Sequence, residues 1–140
     1  MYSFTARQEI AARPEAVWAV WTDPDRFPDW DPREERTRLH GPFAEGSTIE
    51  SKQKGNPGGT ATITTVETGT RWTLTSPLPG GELVIDHLLE PAAGGGTVVT
   101  KRYDVTGPLA LLFRAWYGPR VRHALPATFA ALDAEAWRRG

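Results

Sequence analysis

Of the three histidines in this chain, His87 carries the most chemical promise. It stands in GELVIDHLLEP (81–91), where alternation sets Leu83, Ile85, His87 and Leu89 on one side of a strand. An unperturbed imidazole titrates near neutral pH and can pass a proton as acid or base. The favoured reading of a histidine in an apolar row is nevertheless a hydrogen-bonded core residue. Asp86 points to the opposite sheet face, so no local His–Asp dyad forms. Tyr103 shares the parity of Val99 and Val105 and is the second candidate for proton transfer. His40 precedes a Gly-Pro turn and His123 falls on a helix. The three histidines share no metal-ligand spacing, and neither a metal nor another cofactor is expected. The pieces GNPGG and AAGGG lie between strands with no helix behind them, which makes them hairpin turns rather than phosphate cradles. No dinucleotide fingerprint and no Gly-x-Ser-x-Gly elbow is present.

The second source of chemistry is aromatic. Three of the six tryptophans fall within RPEAVWAVWTDPDRFPDWDP (13–32). Trp18 and Trp21 recur at helical spacing among apolar neighbours and are read as anchors of a short helix. Trp30 stands between Asp29 and Asp31 in a proline-bounded connection, where an indole has less packing reason to be. It is a candidate for the rim of a binding site, as are Trp72 on a strand and Phe113, Trp116 and Tyr117 in FRAWYG. An indole N–H or a phenol can fix a ligand's polar end. Arg114, Arg120 and Arg122 read as a solvated face, with pairing of one of them to a ligand carboxylate as the alternative.

These residues need elements to hold them. Residues 3–10 alternate as a half-buried strand. PEAVWAVWTD then reads as a short helix with proline in its first turn, ending near Asp23-Pro24, and DRFPDWDP has room for one further turn. EERTRLHG, GSTIESKQK, TATITTVE, TRWTLTSPL, GELVIDHLLEP and GTVVTKRYDV are rich in β-branched residues and are separated by turn clusters, giving about seven antiparallel strands in all. Parity assigns Ile49, Ser51 and Gln53, and Trp72, Leu74 and Ser76, to the inward face along with the His87 row. After Gly107-Pro108 two apolar stripes mark a long C-terminal helix, which Pro119 and Pro126 should break or kink, most plainly at Gly118-Pro119. That helix is the only element large enough to cover the sheet.

Three sequence features recur together in one known family. The stretch I-A-x-x-P-E-x-V-W-x-V-W-T-D-x-x-R-x-P-x-W (Ile10 to Trp30), the strand end E-P-x-x-G-G-G-T-x-V-T (Glu90 to Thr100) and G-P-L-A (Gly107 to Ala110) follow an alternating first strand. In this order and spacing they resemble the polyketide cyclase/dehydrase branch of the START-like (SRPBCC) superfamily. The resemblance covers nearly the whole chain and implies an α+β helix-grip domain over residues 1–140: a seven-stranded antiparallel sheet wrapped around a long C-terminal helix. Two short helices after the first strand would close one end, with an apolar cavity between sheet and helix. Members include cyclases, carriers of hydrophobic molecules and proteins without assigned chemistry, so the fold foretells a cavity better than a reaction.

Composition narrows the classes further. Sixteen basic and seventeen acidic residues leave a net charge of −1, without the positive field that nucleic-acid phosphates require. With no cysteine, thiolate chemistry and disulfides are excluded. No stretch reaches the length of a membrane span, and MYSFTARQEI lacks the blocks of a signal peptide, so a cytoplasmic protein is expected. Heavy use of Ala, Gly, Arg and Trp fits a GC-rich bacterial source. The reading that follows is binding of a hydrophobic, aromatic or polycyclic small molecule, by a monomer or homodimer, with no nucleic-acid partner. Trp30, Trp72, His87, Tyr103, Phe113, Trp116 and Tyr117 would contact it. The first alternative is a polyketide aromatase/cyclase using the same cavity, and the second a protein-binding module with a collapsed one.

Overall fold

Alternation, proline placement and turn glycines translate directly into the architecture of the computed structural model, which describes residues 1–55 and 57–139. Strand β1 (Tyr2–Ile10) leads into helix α1 (Pro14–Trp21), a 3-10 turn (Pro24–Arg26) and the one-turn helix α2 (Phe27–Trp30). Six strands follow: β2 (Glu34–His40), β3 (Thr48–Gln53), β4 (Gly59–Glu67), β5 (Arg71–Leu78), β6 (Gly81–Pro91) and β7 (Thr97–Val105). All pair antiparallel in one sheet of order β1-β7-β6-β5-β4-β3-β2. The chain then stays helical over 110–139, as α3 (Ala110–Leu112), a π-helical turn (Phe113–Tyr117) and α4 (Gly118–Arg139). None of the described helices is long and apolar enough to cross a membrane.

The break or kink expected at Gly118-Pro119 takes the form of a π-helical turn ending at Tyr117, through which the chain stays helical. The strain is absorbed one turn earlier, where the Gly118 N–H bonds the Phe113 carbonyl five residues back. That wider turn carries the helix past a residue with no N–H to give. Glycine at 118 is required for a second reason, because a Cβ there would stand 2.6 Å from the Tyr2 ring on β1. Pro126 likewise lies inside α4 without ending it.

The concave face of the sheet holds the core. Val17, Val20, Val99 and Leu125 are fully buried, and α4 packs against α1 and β1. At this end the Asp133 carboxylate on α4 accepts the Ala12 N–H at 2.9 Å, and the Thr97 hydroxyl donates to the Ala12 carbonyl at 2.7 Å. Both bonds tie the β1–α1 connection down where α1 lacks a side-chain N-cap of its own. Asp86 does face the convex side, gripped there by Arg71 in a bidentate pair and by the Thr73 hydroxyl.

Two irregularities reset the sheet's parity. The β2–β3 register shifts between Glu34 and Arg36, and the β4–β5 register between Ile63 and Thr65. An extra residue in one strand turns the following side chains over. Glu34 and Thr37, of opposite parity, therefore line the same interior.

Candidate functional site

Between the concave face, α2 and the C-terminal helix lies a cavity of about 490 Å³. Its floor comes from β5 and β6, whose register sets Trp72 opposite His87 and Leu74 opposite Ile85. Trp72 is 1% exposed and stacks on the His87 ring at 3.8 Å and 6°. Trp21 meets the same imidazole edge-on at 5.5 Å, so the tryptophan assigned to core packing also lines the cavity. Trp18 packs edge-on against Phe43, away from it. Tyr103 stacks on Phe4 at 4.6 Å. The far wall is helical: Phe113 and Tyr117 meet at 4.7 Å, while Trp116 is 47% exposed with the Arg120 guanidinium 4.4 Å from its ring. Trp30, on α2, lies edge-on to Phe27 at 5.6 Å. All seven aromatic and histidine candidates thus come together on one cavity. Arg114, Arg120 and Arg122 are all exposed, Arg122 over the Phe4 ring.

His87 is the packed histidine its apolar row favours. Its Nδ1–H donates to the Trp72 carbonyl at 3.2 Å. Burial, reinforced by the nearby Lys101 charge, pushes its pKa well below the usual imidazole value. The ring is therefore neutral through the physiological range.

Polar groups converge instead at the end formed by β2, β3 and the π-helical turn. The Gln53 amide oxygen accepts from Arg33 Nη2 at 3.1 Å and from the Tyr117 hydroxyl at 3.2 Å. Its nitrogen donates to Glu34 Oε1 at 3.2 Å. Burial raises the Glu34 pKa, against the opposing pull of the Gln53 bond and of Lys101. Burial raises that of Tyr117 as well, aided by Tyr103 and opposed by Arg33. For Arg33 the burial effect is downward, and Tyr103, Tyr117 and Asp31 outweigh it. The Asp31 carboxylate meanwhile accepts the Arg33 backbone N–H at 2.9 Å, closing a local turn that sets both side chains.

Several buried polar atoms here have no hydrogen-bond partner among the described residues: Trp30 Nε1, Glu34 Oε2, Thr37 Oγ1, Trp72 Nε1 and Thr128 Oγ1. All five belong to cavity-lining residues. Leaving such an atom unpaired costs roughly 1–3 kcal/mol, so their gathering around one space sets this region apart from the satisfied interior.

Arg33, Glu34 and Lys101 are the residues that sequence reasoning misses. Lys101 carried a usable signal, since it shares the parity of Val99 and Tyr103 and pairs with His87 across the β6–β7 register. Glu34 carried none, because the bulge that turns it inward leaves no mark in the alternation.

The arrangement can surround an apolar molecule with indole and phenyl faces and meet one end of it with an amide, a carboxyl, a phenol and cations. Comparison with known proteins adds a lineage. No curated protein matches the chain significantly. Solved structures do match, at identities that speak for the fold alone. A START superfamily protein from Mycobacterium smegmatis superposes with a TM-score of 0.73 at 12% identity, over 100% of both chains. Norcoclaurine synthase from Thalictrum flavum, in complex with dopamine and hydroxybenzaldehyde, gives 0.71 at 13%, covering 99% of this chain and 88% of the other. The di-domain ARO/CYC StfQ of the steffimycin biosynthetic pathway gives 0.74 at 12%, over 98% of this chain and 51% of StfQ. The family model for polyketide cyclase / dehydrase and lipid transport matches residues 1–136, and the chain belongs to that family.

Proposed function

We propose that this family member binds a hydrophobic, aromatic or polycyclic small molecule between its sheet and C-terminal helix. The observation that carries the reading is the cavity of about 490 Å³ walled by Trp21, Trp30, Trp72, Phe113, Trp116 and Tyr117. That volume falls in the range of small-molecule sites, which are mostly apolar with a few placed polar groups. Burial of ligand carbon at about 25 cal/mol per Å² supplies the affinity, and the Gln53 network supplies orientation. A protein-binding module with a collapsed interior is disfavoured by the same volume.

Tryptophan fluorescence titration with a panel of aromatic probes tests the reading, because four indoles line the space. Saturable quenching by polycyclic probes is expected, and Ser51→Phe, which fills the cavity from β3, should weaken it at least about tenfold without unfolding the chain. If no probe binds, or if Ser51→Phe binds as the wild type does, the cavity is not the site.

A cyclase reading is favoured by one specific observation. Glu34, Lys101 and Tyr103 face the same cavity, which gives more than one group able to move a proton. Turnover of a poly-β-keto substrate that survives in neither Glu34→Gln nor Tyr103→Phe would establish it. One group would take a proton from a methylene carbon as that carbon bonds to the carbon of a second carbonyl, whose π bond breaks and whose oxygen takes a proton from another group. Binding without turnover would leave the carrier reading standing.

A further inference from the structure

A second, smaller pocket of about 290 Å³ opens beside the cavity and shares Gln53, Trp116 and Tyr117 with it. Among the described residues its remaining polar side chains are Arg33, Lys54 and Arg120, and none that lines it is acidic. In a chain of net charge −1 this is a local concentration of positive charge. We infer that this pocket is an anion-binding vestibule that seats the carboxylate of an amphipathic ligand whose apolar body occupies the larger cavity.

Three of the cations that have no carboxylate partner among the described residues line this one pocket. Arg26, Lys52, Arg71, Arg102, Arg138 and Arg139 each hold a carboxylate within ion-pair reach. Among the described residues no such pair forms at Arg33, Lys54 or Arg120. Arg33 is the telling member, because its side chain is half-buried and its close contacts are the Gln53 amide and the phenols of Tyr103 and Tyr117. Asp31 and Glu34 act on it only from beyond ion-pair distance. A partly desolvated guanidinium without a carboxylate partner retains donors for a planar anion, and its fork fits a carboxylate. Arg120 flanks the same space from the helix side, held over Trp116. The Tyr117–Gln53 bond stands at the junction of the two spaces. A ligand spanning both would thread past a phenol, an amide and an indole.

This proposal rests on the reading of the larger cavity as a ligand site, and a matched probe pair separates the two. Pyrenebutyrate and pyrenebutanol share an apolar body and differ in charge. At low salt the acid should bind about tenfold more tightly than the alcohol, the preference shrinking as salt rises. Arg33→Met and Arg120→Met should each bring the preference of acid over alcohol, read within the same variant, down to about twofold. Lys54→Met and Arg120→Met remove exposed side chains and carry the same comparison should Arg33→Met fail to fold. Equal binding of acid and alcohol, or a preference that survives the substitutions, overturns the vestibule and leaves the cavity reading intact. Failure of both probes to bind overturns both.

Discussion

The two ends of the helix–sheet layer are built from the same alternating strands and yet differ in kind. At the end closed by α1 and β1, α4 packs against both, and Val17, Val20, Val99 and Leu125 are fully buried. At the other, beside β3 to β6 and the π-helical turn, Leu111, Leu112 and Trp116 are exposed, and the cavity with its unpartnered polar atoms lies between sheet and helix. Filling one end gives the fold enough burial to leave the other open. A cavity forfeits dispersion contacts on every group that lines it, and a folded domain has only a narrow margin of stability to absorb that. The chain thus separates what holds it together from what is free to act.

The sharpest way to break this contrast is a pair of equal truncations. Leu125→Ala, in the filled end, should cost about 2–5 kcal/mol of unfolding free energy, since close-packed surroundings collapse poorly onto a new void. Leu74→Ala removes the same atoms from a side chain that already borders empty space, and should cost about 1–2 kcal/mol. Urea denaturation of the two variants decides it. Equal costs would mean that the cavity closes in solution and the two ends are alike.

The contrast also has a pH dependence at the boundary, where His87 packs beneath the cavity. Its pKa is depressed in the folded chain, so stability is fully present above the ordinary value of 6.5 and is lost as pH falls from there toward the folded value. The limiting slope is about 1.4 kcal/mol per pH unit. His87→Phe keeps an aromatic ring against Trp72 and removes the proton site, so its stability relative to wild type should rise as pH drops from 7.5 to 5. A parallel pH profile for both proteins would show that the cavity admits enough water to solvate the imidazolium.

Alternation identified the interior correctly wherever strands run regularly. Ile49, Ser51 and Gln53, then Trp72, Leu74 and Ser76, then Leu83, Ile85 and His87 all line the cavity as their parity requires. Period-two patterning reports which face a residue takes, and it is blind to whether that face meets packed atoms or a void. Trp21 and Trp72 show this, since each is both buried core and cavity wall. It is blind as well to bulges, and so Glu34 was hidden while Tyr103 was not. The Gly118-Pro119 step was recognised as a point of strain, but the need for glycine at 118 is set by the Tyr2 ring of β1, a contact between residues far apart in the chain.

Glu34→Gln probes the polar end most gently. Burial raises the carboxyl's folded pKa, so its contribution to stability is fully present below the ordinary value of 4.5 and is lost as pH rises through the folded value. The sign is therefore opposite to that of His87. Glutamine keeps the shape and stays neutral, and the variant should gain on wild type between pH 4 and pH 7. The side chain is half-buried, and Lys101 and the Gln53 amide already compensate its charge, so the gain should be a few tenths of a kcal/mol, up to about 1 kcal/mol after solvent screening. Chemical denaturation at the two pH values measures it. A variant that instead loses stability at pH 7 would mean that the carboxylate is held by Arg33 and Lys101 as an ion pair, making the open end as tightly satisfied as the filled one.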